Sequence, residues 1–129
     1  MPIELVSTDP YIYSSLVGLV TNEELLLHYQ RPEFASVHGV WRELVDGRPL
    51  TEMGVTADGQ RQLAAMASRM GPRLRGGRVA MVANSEVTYG MFRMWELQRE
   101  GLGFEVQVFR DFGAAEAWVT ADIPEIAER

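Results

Sequence analysis

The chain contains no cysteine, which removes disulfides, thiolate metal sites and cysteine nucleophiles at once and points to a reducing, cytoplasmic setting. It also lacks any apolar run near the roughly 20 residues that a bilayer-crossing helix needs. Its opening Met1-Pro2-Ile3-Glu4 has neither the basic patch nor the apolar stretch of a signal peptide. A soluble protein without a transmembrane segment is the expectation. Positive charge is scarce, 12 Lys and Arg against 18 Asp and Glu, and a net charge of -6 opposes nucleic-acid binding, because phosphate contacts need clustered cations. The one basic cluster, Arg69, Arg73, Arg75 and Arg78, surrounds Gly71-Pro72 and Gly76-Gly77 and reads as a solvated connection. Histidine is nearly absent too. His28 and His38 fall in a helical and a strand pattern, neither with a suggestive neighbour, so neither a metal site nor a histidine-based hydrolase finds support. No nucleophile elbow, P-loop, dinucleotide fingerprint or zinc-protease helix is present. The expectation is therefore a non-enzymatic chain with no cofactor and no metal.

What is there is a core. With 47% hydrophobic residues in 129, the chain has material for one packed domain, expected over residues 1–120 with a tail at 121–129. The clearest stretch is 78–118. A continuously apolar strand, Val79-Ala80-Met81-Val82-Ala83, is followed by the turn Asn84-Ser85 and a long helix over 86–100. An alternating strand over 104–109 and a last helix opening at Asp111 complete it. Strand, helix, strand, helix at this spacing means a parallel α/β unit. The continuous apolar strand should be central and the alternating one an edge.

Upstream, 3–6 and 11–20 read as two strands separated by Asp9-Pro10, economically paired as a hairpin. Thr21 with Glu24 fits a capping box for a helix over 22–30, stopped by Pro32. Val37, Val40, Trp41, Leu44 and Val45 suggest a third strand within 36–46, with Gly39 a bulge and Asp46-Gly47 a turn. Residues 48–55 read as a loop, and Thr56 stands where the N-cap of a second helix belongs, running to Met70 and ended by Gly71-Pro72. Its Leu63, Met66 and Met70 are core rather than a cofactor surface. On the 86–100 helix, Val87, Met91, Met94, Trp95 and Gln98 should face inward, with Arg93, Glu96, Arg99 and Glu100 outward. Ala114, Ala115, Ala117, Trp118 and Val119 should pack the last helix, and Trp41, Trp95 and Trp118 should be buried.

Four segments together carry a family resemblance. They are Arg78-Val79-Ala80-Met81-Val82-Ala83, Thr88-Tyr89-Gly90-Met91-Phe92-Arg93-Met94, Glu105-Val106-Gln107-Val108-Phe109-Arg110-Asp111 and Ala114-Ala115-Glu116-Ala117-Trp118-Val119. In this order, with Glu43-Leu44-Val45-Asp46 upstream, the chain resembles the uncharacterised bacterial STAS-like, or SpoIIAA-like, proteins. The resemblance implies an α/β single domain, a mixed and mostly parallel sheet of four or five strands with helices packed on it, and no active site of its own. It implies a regulatory domain acting through a protein partner, with a homodimer as a further option. Better understood relatives, the anti-sigma-factor antagonists, carry a phosphorylatable serine at a helix start that falls near Thr56 by element order. Here the hydroxyl is threonine, no serine pair is present, and Gly54 stands where the antagonists have an aspartate.

In open α/β sheets ligands collect beyond the carboxyl ends of the parallel strands, where helix N-termini offer unpaired amides. That rim would hold Asp46, Asn84, Ser85, Glu86, Arg110 and Asp111, with Tyr89 and Arg93 one helical turn apart beside it. Asn84, Ser85, Thr56 and Asp111 also serve simply as helix caps. A binding module, with a small apolar or anionic ligand between sheet and helices, is the alternative to the partner-binding domain.

Overall fold

Residues 2–37, 39–98, 101 and 103–121 are described by a computed structural model. The expected tail beyond Ala121, His38, and the Arg99-Glu100 end of the long helix lie outside them. The chain runs β1 (Ile3–Ser7), β2 (Ile12–Leu16), β3 (Gly18–Thr21), α1 (Asn22–His28), a 3-10 turn (Pro32–Ser36) and β4 (Arg42–Asp46). It continues with β5 (Leu50–Gly54), α2 (Ala57–Arg69), α3 (Gly71–Leu74), β6 (Arg78–Val82), α4 (Glu86–Gln98), β7 (Glu105–Phe109) and α5 (Phe112–Thr120). Five strands form one sheet in the order β1-β2-β4-β6-β7, antiparallel only between β1 and β2. A mixed, mostly parallel α/β sheet results, with β6 inside it and β7 at its edge.

The alternation of side chains along these strands builds two cores. On one face Ile12, Leu16, Val45, Met81 and Val108 meet Leu25 of α1, Leu63 and Ala67 of α2 and Phe92 and Trp95 of α4. On the other, Leu44, Ala80 and Val82 meet Ala115 and Val119 of α5. Both faces of β4 and β6 are thus covered, which is why β6 carries no polar residue after Arg78.

Several expectations change. The strand expected over 11–20 breaks after Leu16, at Val17, and resumes at Gly18, whose φ of 68° is left-handed, a conformation that costs glycine little. The break sends β3 out of the main sheet to pair in parallel with β5, inside the stretch expected to be a loop. Apart from Leu50, the strand β5 is half or fully exposed, so its composition carries no strand alternation. The third strand starts only at Arg42, because Pro32 opens a 3-10 turn and Gly39, at φ 75°, lies in the loop before it rather than in a bulge. Pro72 does not end the helical run but sits in the first turn of α3, where a missing N–H costs nothing. The capping box at Thr21 is present, with the Glu24 N–H donating to the Thr21 hydroxyl and the Thr21 N–H to the Glu24 carboxylate at 3.0 Å.

The long helix is turned away from its expected face. Thr88, Phe92 and Trp95 are buried, a stripe at i, i+4 and i+7, whereas Val87 and Met94 are exposed, as is Leu97. The Phe92 ring packs where Gly47 leaves room, and a Cβ at Gly47 would lie 2.8 Å from it. Ala114 and Ala117 of α5 are exposed. Trp41 and Trp95 are buried, but Trp118 is only half buried, beside Phe109 at 5.7 Å and under the Arg78 guanidinium at 5.5 Å, since α5 alone covers that face.

Candidate functional site

The expected rim is largely spoken for by its own contacts. Asp46, at the end of β4, receives Arg48 through Nε at 3.0 Å and Nη2 at 2.9 Å, the Arg48 backbone N–H at 3.0 Å, and the Tyr13 hydroxyl at 2.9 Å. Burial pushes its pKa up, but the bonds from Arg48 and Tyr13 outweigh that and hold the carboxyl below its usual range. Arg48 also lies 4.5 Å over the Phe112 ring. Ser85 caps α4, accepting from the Thr88 N–H at 3.1 Å and donating to the Thr88 hydroxyl at 3.0 Å. Asn84 is exposed beside it. Tyr89 and Arg93 do not converge. Arg110 stacks on Tyr89 at 3.9 Å while pairing with Glu86, and Arg93 pairs with Glu96 on its own helix. Asp111 caps α5 through the Ala114 N–H at 2.8 Å.

Thr56 follows the smaller pair of strands. Its side chain caps α2, accepting from the Gly59 N–H at 3.0 Å, and accepts again from Asn22 Nδ2 at 3.0 Å, while its own N–H donates to Asn22 Oδ1 at 3.1 Å. Asn22 opens α1, so one amide side chain ties the starts of α1 and α2 together. The residue remains exposed.

Four residues come together elsewhere, of which the sequence points only to His28, and to that without a neighbour. Ser14 on β2 and Glu43 on β4 point to the face that α1 covers, and both are almost wholly buried, 1% and 2% exposed. Two successive residues at the end of α1 reach down to them. His28 Nε2 lies 2.9 Å from Ser14 Oγ, and the Tyr29 hydroxyl donates to Glu43 Oε2 at 2.7 Å. Trp41 Nε1–H donates to Glu43 Oε1 at 3.0 Å. Phe34, from the 3-10 turn, holds the group by packing its ring on His28 at 5.2 Å, Tyr29 at 5.8 Å and Trp41 at 5.7 Å.

This polar cluster forms one end of a cavity of about 70 Å³, whose remaining wall is apolar and includes Leu63, Met66, Met81, Trp95 and Val106. The space lies under α2, whose backbone closely approaches α1 and α3, whereas α4 and α5 press directly on the strands. His28 is 4% exposed, and burial, followed by the nearby positive charge of Arg31, lowers its pKa to about 4 against a weaker opposing pull from Glu33. It is therefore neutral near pH 7, and its Nδ1 has no hydrogen-bond partner among the described residues. Among those residues no group of three His, Asp or Glu side chains is placed to hold a metal ion.

No protein-family model matches the chain, and no curated protein matches it. A solved structure does. An uncharacterised protein of the DUF3478 family from Shewanella loihica, described as having a SpoIIAA-like fold, superposes with a TM-score of 0.60 at 20% identity, over 91% of this chain and 93% of that one. The chain has a SpoIIAA-like fold. The expected fold class, a mixed and mostly parallel α/β sheet with helices packed on it, therefore holds. At that identity the likeness concerns the SpoIIAA-like fold alone, and any chemistry has to come from the side chains. No described helix is long and apolar enough to cross a membrane.

Proposed function

We propose that this SpoIIAA-like chain is a non-enzymatic binding module whose cavity beneath α2 holds a small apolar ligand. The observation that carries the reading is the cavity itself, an apolar space with a few convergent polar groups at one end, Ser14, His28 and Glu43 of them buried, which is the chemistry of a small-molecule site on a reduced scale. Catalysis is disfavoured by the position of the Ser14 and His28 pair. Ser14 lies in the middle of β2, between ladders to β1 and β4, so the strand amides around its hydroxyl are engaged in the sheet rather than turned to a reacting oxygen. The imidazole also lacks an acidic partner at Nδ1. The test is native mass spectrometry of the purified protein together with xenon pressurisation of crystals. A released small molecule, or xenon bound among Met66, Met81 and Trp95, is expected. A bare chain mass with no xenon in that space sinks the reading.

A regulatory domain acting through a protein partner, the reading the sequence favours, is supported by a different feature. Val87, 75% exposed, Met94 and Leu97 form an apolar stripe on the outer side of α4, with no covering element among the described residues. Thr56 is the switch candidate of that reading, because a phosphate there would sit at the N-terminus of α2. It would displace Asn22, which now binds the Thr56 oxygen. Met94→Glu should abolish capture of any partner, and Thr56→Asp should change it. Partner capture unchanged in Met94→Glu, Thr56→Asp and Thr56→Ala would retire both the surface and the switch.

A further inference from the structure

We infer that the cavity selects a neutral head group: an apolar body of a few carbons bearing one carbonyl or hydroxyl, in preference to the same body ending in a carboxylate. This rests on the ligand-binding reading and adds a choice of chemistry to it. The polar end offers hydrogen bonds but no positive charge. Its residues are Ser14, His28, Tyr29 and Glu43, and the described lining contains neither lysine nor arginine. Both oxygens of Glu43 already act as acceptors, from Trp41 and Tyr29. An entering carboxylate would lose its hydration, find no counter-charge, and meet the oxygens of Glu43 in a space of low dielectric. His28 cannot supply the missing charge near neutral pH, since burial keeps it unprotonated.

A neutral head meets the opposite situation. The Ser14 and His28 pair is adaptable, because its proton can lie on either partner. When Nε2–H donates to Ser14 Oγ, the serine O–H is free to donate to a carbonyl. When the serine donates to Nε2, its oxygen is free to accept from a hydroxyl. Ketone and alcohol are thus both served, and an ammonium or carboxylate needs more than this pair gives. Size sets the rest. A cavity of about 70 Å³ is several times the roughly 10–15 Å³ that one water requires and about half the 150 Å³ of an engineered cavity that binds benzene. The occupant should therefore have about three or four heavy atoms.

The experiment is a nitrogen-proton correlation titration of the labelled protein at pH 7.5 with acetone and, separately, its isostere acetate, following the indole N–H signals of Trp41 and Trp95. Saturable shifts with acetone, and binding of acetate at least about tenfold weaker, are expected. Ser14→Ala should weaken acetone by about fivefold, the worth of one hydrogen bond. Equal affinities for the two probes would overturn the head-group choice while leaving the ligand-binding reading in place. If acetone gives no saturable shift although xenon enters the same space, the proposed role of the Ser14 and His28 pair is overturned. If neither enters, both readings fall together.

Discussion

Trp95→Ala should destabilise the protein by about 3–5 kcal/mol, the range for removing a large aromatic side chain from a core. Trp95 is buried on α4, with its ring 5.6 Å from that of Phe92, and it joins Leu63 and Ala67 of α2 to Met81 of β6. The cost should lie toward the top of that range for a particular reason. The indole already borders empty space, so its removal merges a new void with the existing cavity instead of one that neighbours can close. Urea melts measure this directly, with the slope against denaturant checked for constancy. The variant should also take up larger apolar probes than the wild type. A loss below about 1 kcal/mol would mean that the inward face of α4 is not the stripe of Thr88, Phe92 and Trp95.

That stripe shows how far a sequence of this kind can be read. The carboxy-terminal half was legible because its signals are independent and agree. Strand β6 is continuously apolar, Ser85 and Asp111 cap the helices that follow, and β7 alternates as an edge strand should. The helix between them was legible in extent but ambiguous in rotation. It carries two apolar stripes, Val87-Met91-Met94 and Thr88-Phe92-Trp95, and the choice is made by the pocket that Gly47 leaves for Phe92, a long-range fact. Strand β5, and the break that separates β3 from β2, escaped for another reason. Strand β5 is short and mostly exposed and pairs with β3 outside the main sheet, so it lacks the alternation of a half-buried strand.

The polar end of the cavity was harder still. Ser14, His28, Tyr29 and Glu43 come from a strand, a helix end and a second strand, and only tertiary packing brings them into contact. One signal was available. In Trp41, Glu43 and Val45 the period of two places a glutamate between two apolar residues on the same face, and an inward carboxylate requires partners. Asp46, Tyr89, Arg93 and Arg110 stand out in the sequence because rims bind ligands in this type of sheet, yet Asp46 closes on Arg48 and Tyr13 there, and Arg110 on Glu86 and Tyr89.

Stability should fall by about 3 kcal/mol as the pH drops from 6.5 to 4, through His28 alone. The sign follows from which state takes the proton. In the unfolded chain the imidazole has its ordinary value near 6.5, while in the folded protein it is lowered to about 4. Between those values the unfolded state binds a proton that the folded state refuses, so acid favours unfolding. Above pH 6.5 neither state is protonated and below pH 4 both are, so the contribution is flat outside the window. Arg31 sharpens the effect from the end of α1, Glu33 opposes it from the 3-10 turn, and Ser14 is the neutral contact from β2. Asp46 acts in a separate range. Its folded value lies below the ordinary 3.8, so its contribution is present above that value and is lost only as the pH falls further. Urea melts at pH 7.5, 5.5 and 4 on the wild type and on His28→Gln isolate the histidine, because Asp46 and every other carboxylate are common to both and cancel in the difference. The gap between the two proteins should narrow steadily as the pH falls to 4. A gap that stays constant with pH would show that His28 titrates alike in both states, which would require the Ser14 contact to be open to water and the enclosed polar end of the cavity to be absent.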